Sequence, residues 1–225
     1  MTAEDSTLEG ARARLIEAAL PHVAFDGWSR ESLKLALAET GIDAETATLA
    51  FPRGGVDMAL AFHRQMDAAL AEDLAAREME ALRIRDRISY AVRRRLELVD
   101  EHKEAVRRGG TLLALPVYAA EGARALWQTA DTIWTACGDT ATDYNWYTKR
   151  AILSGVYSAT VLYWLGDESV GHERTWAFLD RRIEGVMQFE KAKAAAEKNP
   201  VVRNALWLPM QILSRVRAPG GAGSF

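Results

Sequence analysis

Fifteen consecutive residues without a charge, Ala151 to Leu165 ("AILSGVYSATVLYWL"), constrain this chain more than any other feature. The run is shorter than the ~18–20 apolar residues that cross a bilayer as a helix. Lys149 and Arg150 precede it, and Gly166 and Asp167 follow it. It therefore reads as a helix buried in a globular body and stopped at Gly166. The chain has 225 residues, 49% apolar and 26% charged, enough to bury one substantial core with appendages. Its formal charge of −3 is unevenly spread. Residues 191–225 hold six cations against Glu197, a net of +5, which leaves −8 for the first 190 residues. A basic tail on an acidic body points to a separate partner for the tail. Cys137 is the single cysteine, so no internal disulfide can form.

The rest of the chain also reads as helix, because alternating β-branched runs are missing and Pro and Gly fall between periodic segments. A first helix is expected from about Ser6 to Phe25. Ser29 caps a second that ends near Gly41, and Asp43 caps a short third that "PRGG" at 52–55 breaks. A long helix is expected over 56–80, then helices over 83–99, 103–113, 118–137, 142–165 and 170–193. Three short helices before a larger helical body is the layout of TetR-type regulators, in which the second and third helices form a helix-turn-helix. The expected fold is an all-α, TetR-like bundle. It divides into a three-helix part (1–55), a helical body (56–193), and a tether with an amphipathic helix (194–225).

DNA reading is disfavoured. A reading helix needs cations or amides near base edges and cations against phosphate. The third helix, "DAETATLA", carries Asp43 and Glu45 and no base, and residues 10–50 hold four cations against six acids. A net-negative face repels phosphate. No catalytic, metal or cofactor site is expected. The four histidines are scattered, close His or Cys pairs are missing, and Cys137 reads as a small core residue. Asp139 and Asp143 are spaced to cap the following helix.

On the uncharged helix, Ala151, Ser154, Gly155, Ser158 and Ala159 form one small-residue stripe. Such a stripe either lets another helix approach or walls a cavity. With Leu162, and with Trp127, Trp134, Met187 and Phe189 elsewhere, it is the candidate wall of an apolar pocket; the same aromatic and Met side chains could instead fill the space. In the tail, Asn199 and Pro200 are a strong helix start. Leu206, Leu208, Ile212, Leu213 and Val216 share an apolar arc. Together with Arg203, Trp207, Met210, Arg215 and Arg217 they make a basic, aromatic-bearing segment suited to an anionic membrane surface. Pro209 should bend or split that helix.

The stretch "GDTATDYNWYTKRAILSGVYSATVLYWLGDES" followed by "TWAFLDRRIEGVMQFEK" resembles the lipid-binding accessory proteins of coenzyme Q (ubiquinone) biosynthesis. "HVAFDGW" at 22–28, "FPRGG" at 51–55, "IRDRI" at 84–88 and "LALP" at 113–116 carry the same resemblance, which runs over about 11–193. It implies a TetR-like fold that has lost DNA binding, an apolar pocket for an isoprenoid quinone or other lipid, and a C-terminal membrane helix. It also implies a non-catalytic role beside the pathway's hydroxylase. The implied partner surface includes Trp146 and Tyr147, with Asp143, Asn145 and Arg150 in the same motif and Lys149 and Arg150 at the rim. Folds of this type often dimerise, so a homodimer is among the expected partners, while nucleic acid is not. The start, "MTAEDSTLEG", resembles neither a secretory signal nor an Arg-rich transit peptide. The expected location is therefore the bacterial cytoplasm, peripheral on the inner membrane.

Overall fold

The computed structural model describes residues 7–197, with side chains through Phe189. The expected membrane segment, Arg203 to Arg217 with Pro209, lies outside the described residues. Among the described residues there are nine α-helices and no strand.

Local signals set most helix ends. Thr7 caps α1 (Leu8–Asp26) by accepting from the Gly10 N–H at 3.1 Å. Ser29 and Ser32 form a reciprocal capping box at the start of α2 (Arg30–Thr40). Gly41, at φ 67°, ends α2 in the left-handed region that disfavours residues with a Cβ. Asp43 caps α3 (Ala44–Ala50) through the Thr46 N–H at 2.8 Å. The later helices are α4 (Gly55–Ala75), α5 (Ile84–Glu97), α6 (Lys103–Leu113), α7 (Ala119–Ala136), α8 (Tyr144–Leu165) and α9 (Glu173–Glu197).

Two boundaries depart from the sequence reading. The helix expected to reach residue 80 ends at Ala75, and Met79–Ala81 forms a 3-10 turn. That turn buries Met79, and Arg87 holds the carbonyls of Glu80 at 2.7 Å and Leu82 at 2.8 Å. No Gly or Pro marks the stop; the turn that follows it is held by a guanidinium five and seven positions further on. The last helix begins at Glu173 rather than 170. The buried Asp167 carboxylate accepts from Ser169 Oγ at 2.7 Å and Thr175 Oγ1 at 2.6 Å, and thereby fixes the α8–α9 turn. Burial alone would raise its pKa, but the Thr175 and Ser169 hydrogen bonds outweigh that and hold it well below the usual carboxylate range.

The chain forms two compact units. One comprises the described residues through Glu72 together with Arg94–Ala125; the other comprises Asp73–Arg93 and the described residues from Leu126 onward. In the first, α1 packs on α2, α3 and α6, and Leu15, Ile16, Ala19 and Val23 supply its buried face. Trp28 anchors this core. Its indole donates to the Ala105 carbonyl at 2.9 Å and its ring lies 5.5 Å from Phe62. A Cβ at Gly55 would lie 2.0 Å from the Trp28 carbonyl oxygen, so the start of α4 requires glycine. In the second unit α8 packs on α9, with Leu153, Trp164, Leu179 and Ile183 buried.

Candidate functional site

Within the second unit, α5, α7, α8 and α9 enclose an apolar cavity of about 200 Å3. Ile88, Leu153, Val156 and Ile183, all buried, form its floor. Ile152, Val186, Met187 and Trp134 continue the wall. The remaining lining groups are Ile84, Arg85, Asn145, Thr148 and Lys149. Ile84 is exposed, and the Arg85 and Lys149 side chains keep 38% and 39% exposure, so these residues mark the mouth.

An aromatic cluster lies on the same first turns of α8. The ring of Trp146 is 4.8 Å from Tyr147, edge to face, and 5.8 Å from Trp127. The Arg150 guanidinium lies over the Trp146 ring at 4.0 Å. Asp143 caps α8 by accepting from the Asn145 N–H at 3.0 Å, and it also accepts from the Asn145 amide at 3.0 Å. Asp139 does not cap the helix. Its carboxylate accepts from Lys149 Nζ at 2.7 Å and Arg150 Nη1 at 2.9 Å. Arg150 also pairs with Asp131 at 2.5 Å. Burial pushes the Asp139 carboxyl up, but the Lys149 and Arg150 hydrogen bonds more than offset it and hold it below the usual carboxylate range.

The structure moves several expected residues. Trp134 and Met187 line the cavity, and so does Asn145, which the sequence placed on the partner face. Trp127 belongs to the aromatic cluster instead of the cavity wall. The small-residue stripe is on the wrong side. Ala151, Gly155 and Leu162 are exposed, Ser154, Ser158 and Ala159 are half-buried, and none of them lines the cavity. The physical reason is area: Leu153, Val156, Tyr157 and Trp164 have more apolar surface to remove from water, so their face turns inward. Phe189 is exposed as well. Arg150 is not at a rim; its side chain is 3% exposed and supports Trp146 from beneath. Trp146 itself is half-buried, whereas the docking reading required an open ring. The floor residues were legible only as core positions, and Ile84, Arg85 and Ile88 were legible only as part of the "IRDRI" stretch, with nothing to place them at a cavity before α5 was placed. Cys137 is buried, and burial pushes its thiol up to about 11, with Arg87 opposing, so it is protonated at neutral pH.

The chain is similar to known proteins over most of its length. Residues 119–190, which include α8 and most of α9, match the COQ9 family. The mitochondrial ubiquinone biosynthesis protein COQ9 of Drosophila melanogaster is 32% identical over 199 residues, covering 87% of this chain and 61% of that protein. Its counterpart in Rattus norvegicus is 31% identical, covering 80% and 59%. A probable mitochondrial coq9 of Dictyostelium discoideum is 26% identical, covering 83% and 63%. The chain thus spans about three-fifths of the length of these relatives. A TetR transcriptional regulator from Nitrosomonas europaea superposes with a TM-score of 0.64 at 16% identity, over 77% of this chain and 96% of that one, and shares its fold. The expected bacterial cytoplasmic location is overturned, since the relatives are named as mitochondrial proteins. Among the described residues no helix is long and apolar enough to cross a membrane.

Proposed function

We propose that this chain, which belongs to the COQ9 family, serves ubiquinone biosynthesis without catalysing a step. In this reading it holds an isoprenoid quinone-type lipid in the α5–α7–α8–α9 cavity and presents it to a hydroxylase of the pathway. The supporting observation is that one helix segment, 145–156, carries both features. Thr148, Lys149, Ile152 and Val156 face the cavity, while Trp146 and Tyr147 belong to the aromatic cluster. A ligand in the cavity therefore lies within a turn of the surface offered to a partner. Tyr147 is exposed, and Tyr and Trp are favoured interface anchors because they bury large area with few rotors. Native mass spectrometry of the purified protein tests the pocket: a co-purifying isoprenoid or other lipid is expected, and a wild type free of lipid overturns the reading.

A DNA-binding regulator with the same fold is the competing function. Helix α3 carries Glu45 after its Asp43 cap, and two nearby arginines bond to backbone carbonyls. Arg12 donates to the Ala50 carbonyl and Arg14 to the Thr40 carbonyl, each at 3.1 Å, closing the C-terminal ends of α3 and α2. A gel shift with genomic DNA at low salt should show no retarded band. Retardation at that salt would favour the regulator.

A further inference from the structure

Trp146 stands where a docking ring should be open, yet it is half-buried, with the Arg150 guanidinium over it at 4.0 Å. That guanidinium is shared. Its Nε donates to Asp131 at 2.5 Å and its Nη1 to Asp139 at 2.9 Å. The Asp131 side chain is 45% exposed and that of Asp139 is 1% exposed, so the dry carboxylate exerts the stronger pull.

Asp139 is shared as well. Its Oδ2 accepts from Arg150, and its Oδ1 accepts from the Lys149 ammonium at 2.7 Å. One buried carboxylate thus holds two cations that serve different features of α8. Lys149 lines the cavity mouth, and Arg150 underlies the aromatic cluster. Two ion pairs that draw on a single negative charge are not independent: strengthening one weakens the other.

The Lys149 side chain is 39% exposed, and a ligand at the cavity mouth covers it. A cation stripped of water interacts more strongly with its counter-ion, because the local dielectric falls. Lys149 then draws harder on Asp139, and the hold of Asp139 on Arg150 weakens. Arg150 shifts towards Asp131, its other carboxylate, and Trp146 loses the guanidinium over its ring.

Resting on the lipid-pocket reading above, we infer that Lys149, Asp139 and Arg150 form a gate that frees the Trp146 ring for docking when the cavity is filled. Asp139 and Arg150 act as positioning residues, through Lys149 on one side and Trp146 on the other. An empty protein keeps the ring held, and a loaded one releases it. The coupling is reciprocal: whatever frees the ring also tightens the ligand by the same factor.

Calorimetric titration of the full chain with geraniol, a short isoprenoid alcohol, tests the gate. The proteins compared are the wild type, Trp146→Ala, Lys149→Met and the double variant. Trp146→Ala removes the stack that filling must break, so it should bind geraniol about fivefold more tightly than the wild type, at the low end of allosteric coupling. Lys149→Met disconnects the two sites, and adding Trp146→Ala to it should change affinity by less than about twofold. Lys149→Arg, which keeps the charge, should restore the gain. Circular dichroism checks that each variant folds, and Lys149→Gln replaces Lys149→Met if that one does not. An unchanged or weaker affinity in Trp146→Ala overturns the gate and leaves the pocket standing. So does a gain that persists in the Lys149→Met background. If geraniol binds neither the wild type nor Trp146→Ala, the gate fails, and native mass spectrometry decides the pocket separately: co-purified lipid keeps it, and a lipid-free protein overturns both.

Discussion

The cations beside the third helix of the first unit and those beside the cavity of the second do different work, although Arg87 in the second also holds backbone carbonyls. In the first, Arg12 and Arg14 close the ends of α3 and α2, and Arg53 pairs with Asp57 and Glu121. These contacts hold the helix-turn-helix geometry together and leave its third helix acidic. In the second, Lys149 and Arg150 converge on the buried Asp139 and lie over Trp134 and Trp146. There the cations position aromatic rings beside a cavity. The contrast teaches that one fold can carry its distinctive side-chain chemistry in either part. The third helix of the first unit is acidic, while the cavity lining and the aromatic cluster lie in the second.

The largest expected effect comes from breaking the charged centre of the second unit. Arg150→Met leaves the Asp139 carboxylate, 1% exposed, with Lys149 as its remaining ion pair. Removing one partner of a buried pair should cost about 3 kcal/mol, read as a lower urea midpoint at unchanged m. A loss under 1 kcal/mol would mean that Asp139 does not organise this end of α8.

Trp146→Ala sharpens the same side of the comparison. Losing the Arg150 stack and the Tyr147 edge contact should lower stability by about 1 kcal/mol. Affinity for the hydroxylase proposed above as partner should fall by about 2 kcal/mol. Calorimetric titration measures the second figure, and equal losses in both would argue for a purely structural tryptophan.

Acid should separate the units. His63 lies largely buried near Asp67 and Arg95; burial lowers its pKa, with the Asp67 charge opposing. The unfolded chain therefore binds more protons, so stability is lost as pH falls below about 6.5. Asp139 has a depressed pKa, so its contribution is present above about 4 and is lost only as pH falls through its lower folded value. Hydrogen exchange between pH 7.5 and 5.5 should loosen α4 before α8, and His63→Gln should reduce that early loosening. Uniform loosening would count against distinct responses.

The smallest effect is expected at Gly155. A Cβ there meets nothing within 4 Å, so Gly155→Trp should change stability by less than ~0.5 kcal/mol and leave ligand binding intact. Val156→Trp, pointing into the cavity floor, should abolish binding. Ligand loss in both variants would return the small-residue stripe to the pocket wall.

The sequence by itself determined the all-α fold and most of its punctuation. Ser29, Asp43 and Asp143 cap the helices expected of them, and Gly41 ends α2, because capping bonds join residues two to four positions apart. The stretch from Gly138 to Ser169 was equally legible as a family mark, and residues 119–190 match the COQ9 family. Tertiary structure alone decided which side of α8 turns inward, that Arg150 lies beneath Trp146, and that α4 stops at Ala75. These outcomes depend on Arg87 meeting the Cys137 carbonyl, Arg150 meeting Asp131, and Ile183 meeting the face of Leu153 and Val156 in one cavity. A helical period yields two candidate faces. Choosing between them requires the area that distant partners can cover, and spacing along a single helix does not contain that quantity.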